Sequence, residues 1–224
     1  MGLLRRARRD ESVPHLPAEP VSRQFGSDRG RPIDRWYIED FLSRNRSDVR
    51  GRVLEVAEST YTQWYGDGEV TSSDVLYAAA GNPEATVVGD LVTGDGLAED
   101  GWDCFICTQT LQFISDPQAA VHGMRRLLAP GGLVLASVPG ISQISNVDDE
   151  AWGDWWRFNE KGIRLLFDEA FGPENVTVER HGNVKAASAF LYGMAAEELD
   201  EEDLRREDPD YHMVLCVRAA RRDA

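Results

Sequence analysis

The sequence predicts a doubly wound α/β domain, on three observations. Short runs of aliphatic residues recur along the chain at residues 53–56, 85–91, 102–108 and 131–139, each the length of a strand buried on both faces. Stretches with apolar residues three and four apart, the spacing of one helix face, lie between and around them. Several of the runs also end in or beside a carboxylate, which suits a fold whose ligands bind outside the carboxyl ends of its strands. At 224 residues the chain is long enough for one such domain with a full core and marginal for two.

Taken in order, residues 1–25 carry Arg5, Arg6, Arg8 and Arg9, then Pro14, Pro17 and Pro20 among polar residues, and predict a flexible basic arm. No apolar region follows the arginines, so they are not a secretory signal. Residues 26–50 predict a helical cap. Pro32 suits the first turn, and Ile33, Tyr37, Ile38, Phe41 and Leu42 share one face. The α/β domain then fills residues 51–224. Its first strand, residues 52–56, carries Glu55 near its carboxyl end. A short helix over residues 60–65 and the turn Gly66-Asp67-Gly68 lead to a second strand over residues 70–75. Asp74 lies about 20 residues beyond Glu55, where nucleotide-binding sheets of this kind place the carboxylate that holds ribose hydroxyls.

The third run ends in Asp90-Leu91, and the Gly- and Asp-rich stretch after it reads as a surface loop, since its spacing does not fit a calcium loop. After the fourth strand, Asp116 is placed to cap a helix with Pro117 in its first turn, and Val121, Met124, Leu127 and Leu128 form its buried stripe. Beyond the fifth strand, a polar loop over residues 140–150 precedes Trp152, Trp155 and Trp156, a density of rigid amphipathic rings suited to walling a substrate. Asn159 caps a further helix that runs past Ala170. A sixth strand at residues 176–178, a helix over 186–196, an acidic connector over 197–210 and a last strand over 211–217 complete the chain.

The formal net charge of -15 repels phosphate backbones, so a nucleic-acid partner is not expected. No apolar run approaches the ~20 residues of a membrane span. Cys104, Cys107 and Cys216 are an odd number lying in predicted strands, which points to buried, reduced thiols and a cytoplasmic protein. The CxxC spacing of Cys104 and Cys107 is not a metal or redox pair on a strand, where residues three apart face opposite ways. No His and carboxylate cluster has metal-ligand spacing, so no metal is expected.

The series Val53-Leu54-Glu55, Asp74, Val88-Gly89-Asp90-Leu91, Asp103 through Phe113, and Leu127-Leu128-Ala129-Pro130-Gly131-Gly132 resembles the class I S-adenosylmethionine-dependent methyltransferases, especially the small-molecule ones. The resemblance is close over residues 50–140. It implies a Rossmann-like seven-stranded sheet, mostly parallel with an antiparallel last strand, and S-adenosylmethionine as cofactor. It places Glu55 by the methionine end and Asp74, with Val75, on the ribose. Asp90 falls on the adenine amino group with Leu91 against the ring, and Thr108 or Gln109 lines the floor.

The leading helix would cover cofactor and substrate with Asp34, Arg35, Trp36 and Tyr37, and the three tryptophans would wall the acceptor. His181, beyond the sixth strand, and Tyr37 are the candidates for handling a proton. One departure is clear: the glycines of the family's first loop are replaced by Ala57, Ser59 and Tyr61, so the backbone is not free to approach the ligand as usual. The function expected is O- or N-methylation of a small molecule, such as a sugar or secondary metabolite. The alternatives are a methyltransferase fold turned to another reaction such as a cyclisation, or a non-catalytic binding subunit.

Overall fold

The structure is a computed structural model and describes residues 17–222. Seven strands form one sheet: β1 (Gly51–Val56), β2 (Val70–Tyr77), β3 (Val87–Val88), β4 (Trp102–Thr108), β5 (Leu128–Pro139), β6 (Val176–His181) and β7 (Val214–Ala220). Their order across the sheet is β3-β2-β1-β4-β5-β7-β6. All neighbours pair parallel except β7, which runs antiparallel to both β5 and β6. This is the Rossmann-like sheet expected from the sequence. Its order reverses between β1 and β4, and in such sheets the crevice at that point receives the ligand.

The helices are α1 (Ile33–Arg44), α2 (Thr60–Tyr65), α3 (Pro117–Leu127), α4 (Asn146–Trp152), α5 (Glu160–Phe171), α6 (Val184–Leu191) and α7 (Glu201–Arg205). Strand residues alternate between two cores. Leu54, Phe105, Val134 and Val217 meet Met124, Leu127 and Phe167 of α3 and α5, while Val53, Ile106, Leu135 and Cys216 meet Ile38, Phe41 and Phe190 of α1 and α6. A fully buried aliphatic or aromatic side chain contributes about 1.5–3 kcal/mol relative to exposure, so both layers are firmly seated. Cys104 and Cys107 fall in opposite layers, and burial pushes the Cys107 thiol up to about 12. The helix starts are fixed locally: Asp116 accepts from Ala119 N at 3.0 Å and Asn159 from Gly162 N at 2.8 Å.

Several boundaries differ from the sequence reading. Strand β2 continues to Tyr77, two residues beyond Val75, because Leu76 still pairs with Val56 and Val87. Strand β3 is only Val87–Val88, since the chain turns away at Gly89 to make the Asp90 turn. The expected loop before the tryptophans contains α4, and the acidic connector contains α7. Of the expected arm, residues 1–16 lie outside the described residues. The remainder makes defined contacts: Val21 N donates to Tyr192 O, Tyr192 Oη to Pro17 O, and Phe25 packs on Phe190. No helix among the described residues is long and apolar enough to cross a membrane.

Candidate functional site

The carboxyl ends of β1, β2, β4 and β5 open into a cavity of about 830 Å³, within the roughly 300–1,000 Å³ of small-molecule sites. Two segments roof it. One is the stretch from Gln24 into the first turn of α1, and the other runs from Ser142 through α4 to Arg157. Gln143 Nε2 donates to Arg23 O at 2.9 Å and ties the two together. Across the opening, Trp152 meets Tyr77 edge-on with centroids 5.7 Å apart. The second roof segment is braced by Arg157, which grips Asp154 through two nitrogens, one at 2.9 Å, and donates to Gln143 O.

At the β1 end, Glu55 is 3% exposed and faces the cavity, but its oxygens are engaged. They accept from Tyr61 N at 3.1 Å, Thr62 N at 2.8 Å and Thr62 Oγ1 at 2.7 Å, so the carboxylate caps α2. Burial raises this carboxyl, with the hydrogen bonds pulling the other way. Ala57 takes φ 72, the left-handed conformation that a glycine would supply at this position. The left-handed turn is thus made without a glycine, at a cost of about 1–2 kcal/mol. Asn82 Nδ2 donates to Ala57 O at 2.9 Å and helps to hold it. Ser59 accepts from Gln63, and Thr60 donates to Glu58, so both hydroxyls are used within the loop.

Of the residues expected in the site, the cavity brings together Arg35, Glu55, Ala57, Tyr61, Asp90, Leu91, Thr108, Gln109, Trp152 and Trp155. The others lie elsewhere, each for a physical reason. Asp74 sits inside β2, where Thr86 Oγ1 donates to it at 2.9 Å and Trp102 Nε1 at 3.0 Å. Because the strand continues, Tyr77 reaches the tip in its place. Val75 packs into the core. Tyr37 is buried, donates its hydroxyl hydrogen bond to Leu204 O at 2.7 Å and stacks on His181 at 5.5 Å. His181 is itself buried between Glu207, 3.2 Å from Nδ1, and Glu179, 3.5 Å from Nε2, away from the cavity. Trp36 lies under the Arg205 guanidinium, and Trp156 turns its indole N–H to Ile114 O at 3.0 Å.

Sequence reasoning did not single out Tyr77, Gln112, Asp148 or Phe25 as cavity residues. Following β2 to its full length would have found Tyr77. Gln112 lies in the short 3-10 turn after β4, which carries no periodic signal. Asp34 and Arg35, in the first turn of α1, bring charge to the roof. Burial pushes the Asp34 carboxyl above the usual carboxylate range, against the pull of Arg35. The Arg35 guanidinium makes one hydrogen bond among the described residues, to Tyr61 Oη at 3.4 Å, and has no carboxylate within ion-pair distance. Asp90 uses Oδ1 in its own turn, accepting from Val92 N at 2.7 Å, and leaves Oδ2 without a partner among the described residues.

Residues 54–136 match the family model of the methyltransferase domain. That stretch runs from β1 into β5, the elements whose ends frame most of the cavity. No curated protein matches the chain. Among solved structures, it is similar to an S-adenosylmethionine-dependent methyltransferase from Mesorhizobium loti (14% identity, TM-score 0.52, covering 84% of this chain and 98% of that one). It is also similar to one from Thermotoga maritima (13%, 0.52, 85% and 91%) and to the cyclase SpnF (14%, 0.52, 88% and 85%). At these identities the likeness shows the fold alone. The resemblance to class I S-adenosylmethionine-dependent methyltransferases holds, and S-adenosylmethionine is the cofactor that the domain implies.

The residues present fit that cofactor. Arg35 is a cation without an ion-pair partner among the described residues, Asp90 Oδ2 is an open acceptor beside apolar Leu91, and the left-handed turn at Ala57 opens the end of β1. The ribose carboxylate that the spacing assigned to Asp74 is missing from the cavity; the polar groups near that place are Tyr77 and Glu58.

Proposed function

We propose that the chain transfers the methyl group of S-adenosylmethionine to an oxygen or nitrogen of a small molecule. The observation that carries this is the coincidence of the methyltransferase-domain match with the strands whose ends line one cavity of small-molecule size. The cofactor supplies an electrophilic methyl group on a sulfonium sulfur. The chain's own work is to bind, orient and exclude water.

In this reading Arg35 holds the methionine carboxylate, Asp90 accepts from the adenine amino group with Leu91 against the ring, and Tyr77 and Glu58 take the ribose in place of Asp74. Ala57 and Tyr61 shape the approach to the methionine end, and Thr108 forms the floor. Glu55 positions the loop through α2 and does not hold the ligand directly. Trp152 and Trp155 wall the acceptor and keep water out. His181 and Tyr37 are too deeply engaged for proton transfer. Asp34, a cavity carboxylate whose proton affinity is raised by burial, is in its ionised form the better candidate for accepting a proton from the acceptor.

A second reading, a fold turned to a cyclisation or similar reaction, draws support from two observations: the first loop lacks the glycines of the family it resembles, and no histidine among the described residues lines the cavity. Incubation with methyl-labelled S-adenosylmethionine and a panel of phenols, sugars and amines separates the two. Label transferred to a small molecule supports methylation. Tight S-adenosylhomocysteine binding with no transfer to any acceptor favours the second reading.

A further inference from the structure

At the end of β4 the chain reverses through Gln109, whose φ of 47 is left-handed for a non-glycine residue. The turn is pinned by Gln109 N donating to Ser137 O at 2.9 Å, and it brings the Gln109 amide against that of Gln112. Gln112 is 5% exposed, and its carbonyl accepts from Trp155 N at 2.8 Å, so its backbone is tied to the tryptophan segment. Between the two side chains runs one long hydrogen bond, Gln112 Nε2 to Gln109 Oε1 at 3.3 Å. Gln109 Nε2 and Gln112 Oε1 are left buried with no partner among the described residues.

Exchanging the oxygen and nitrogen assignments of both amides does not remove the deficit. With a single bond between them, one donor group and one acceptor group stay unpaired. Buried polar groups are nearly always satisfied, so an unpaired donor beside an unpaired acceptor in a cavity wall calls for an explanation. A ligand that pairs with both would satisfy the two groups together. The last torsion of a glutamine side chain is soft, so a small turn of either amide presents its free atom to the cavity.

We infer that the Gln109–Gln112 pair is the recognition element for the acceptor, and that the acceptor carries a hydrogen-bond acceptor and an N–H donor side by side, as in a carboxamide or lactam, on a planar body. This rests on the reading of the cavity as a methyltransferase site. The pair lines the same cavity as Trp152 and Trp155, tied to Trp155 through the Gln112 carbonyl, while Trp152 packs edge-on against Tyr77. A planar body suits the indole walls. A carboxylate in the same place would leave Gln112 Oε1 without a donor and face Asp148 nearby. An ammonium group would leave Gln109 Nε2 without an acceptor. Gln109 is thereby moved from the cofactor floor to the acceptor side.

The test uses the full chain with and without saturating S-adenosylhomocysteine, titrated with benzamide and with acetophenone, which has the same shape but no N–H, by ligand-detected NMR. Benzamide is expected to bind at least about tenfold more tightly, since the ketone leaves a buried acceptor unpaired. In Gln112→Leu that preference should disappear while the S-adenosylhomocysteine affinity stays as in the wild type. Equal binding of the two probes, or binding of neither, overturns the inference, and the wild-type comparison decides this even if the variant does not fold. A fall in S-adenosylhomocysteine affinity in a folded variant also overturns it, because the pair would then read the adenine edge. Failure of the wild type to bind S-adenosylhomocysteine removes the methyltransferase reading instead, and the two failures are thereby distinguished.

Discussion

The turns at the ends of β1 and β4 are built alike and finished differently. Each reverses the chain through a left-handed residue that is not glycine, Ala57 in one and Gln109 in the other. Around Ala57 the polar groups are paired within the protein: Glu55 caps α2, Asn82 holds the Ala57 carbonyl, and the Ser59 and Thr60 hydroxyls are engaged by neighbours. Around Gln109 a buried donor and a buried acceptor have no partner among the described residues. The difference teaches that strain alone does not mark a ligand contact. The first turn is a finished scaffold that sets the shape of the cavity, whereas the second retains hydrogen-bonding capacity for something that the protein itself does not contain.

The contrast is broken most directly at Arg35, which has no ion-pair partner among the described residues. Replacing Arg35 by Ala should weaken S-adenosylhomocysteine binding by about tenfold or more, the effect of losing one hydrogen-bonded charge partner. Methylthioadenosine, which lacks the amino acid tail, should bind wild type and variant equally. Calorimetric titration of both nucleosides reads this, and an equal loss for both would remove Arg35 from the carboxylate. Asp74→Ala should behave in the opposite way. The buried Trp102 indole N–H and the Thr86 hydroxyl lose their acceptor, so stability should fall by about 1–3 kcal/mol in denaturant unfolding while S-adenosylhomocysteine affinity stays put. A large affinity loss in a folded Asp74→Ala protein would return this residue to the site.

Two smaller effects sharpen the contrast between finished and unfinished regions. The His181 imidazole, 3.5 Å away, and the Arg44 guanidinium at 2.6 Å hold the Glu179 carboxyl down from its ordinary 4.5 to about 2. A carboxyl depressed in the folded state adds stability that is present above pH 4.5 and is lost as the pH falls toward 2. With solvent screening at this partly exposed site, Glu179→Gln should cost about 1–2 kcal/mol at pH 7 and almost nothing near pH 2. Melting curves of the two proteins across that window should converge on acidification; a constant gap would contradict the linkage. Ala57→Gly should relieve the left-handed strain, offset by the greater freedom of glycine when unfolded. A net gain below about 1 kcal/mol is expected, seen as a slightly higher denaturant midpoint, and a lower midpoint would mean that the methyl group packs usefully.

Much of this architecture was legible in the residues. Aliphatic runs gave the strands, and Asp116 and Asn159 gave helix starts, because burial and capping act over a few neighbouring positions. Placement at the cavity was legible where it follows from strand order, as for Asp90 and Thr108; Glu55 is there too but spends its carboxylate on α2. It was misread where the length of an element mattered: a spacing of about 20 residues pointed to Asp74, but β2 runs on to Tyr77. His181 looked free at a strand tip and is instead stacked on Tyr37 and set between Glu207, brought from a distant segment, and Glu179 of its own strand. The Gln109–Gln112 pairing depends on a single backbone reversal, which no periodic pattern records.

The central claim is that the cavity at the ends of β1, β2, β4 and β5 holds S-adenosylmethionine despite the missing loop glycines. Calorimetric titration of the wild-type chain with S-adenosylhomocysteine tests it most directly. The account predicts one site per chain with a dissociation constant well below about 1 mM, corresponding to more than roughly 4 kcal/mol of binding free energy. Absence of any binding up to that concentration by a folded protein would contradict it.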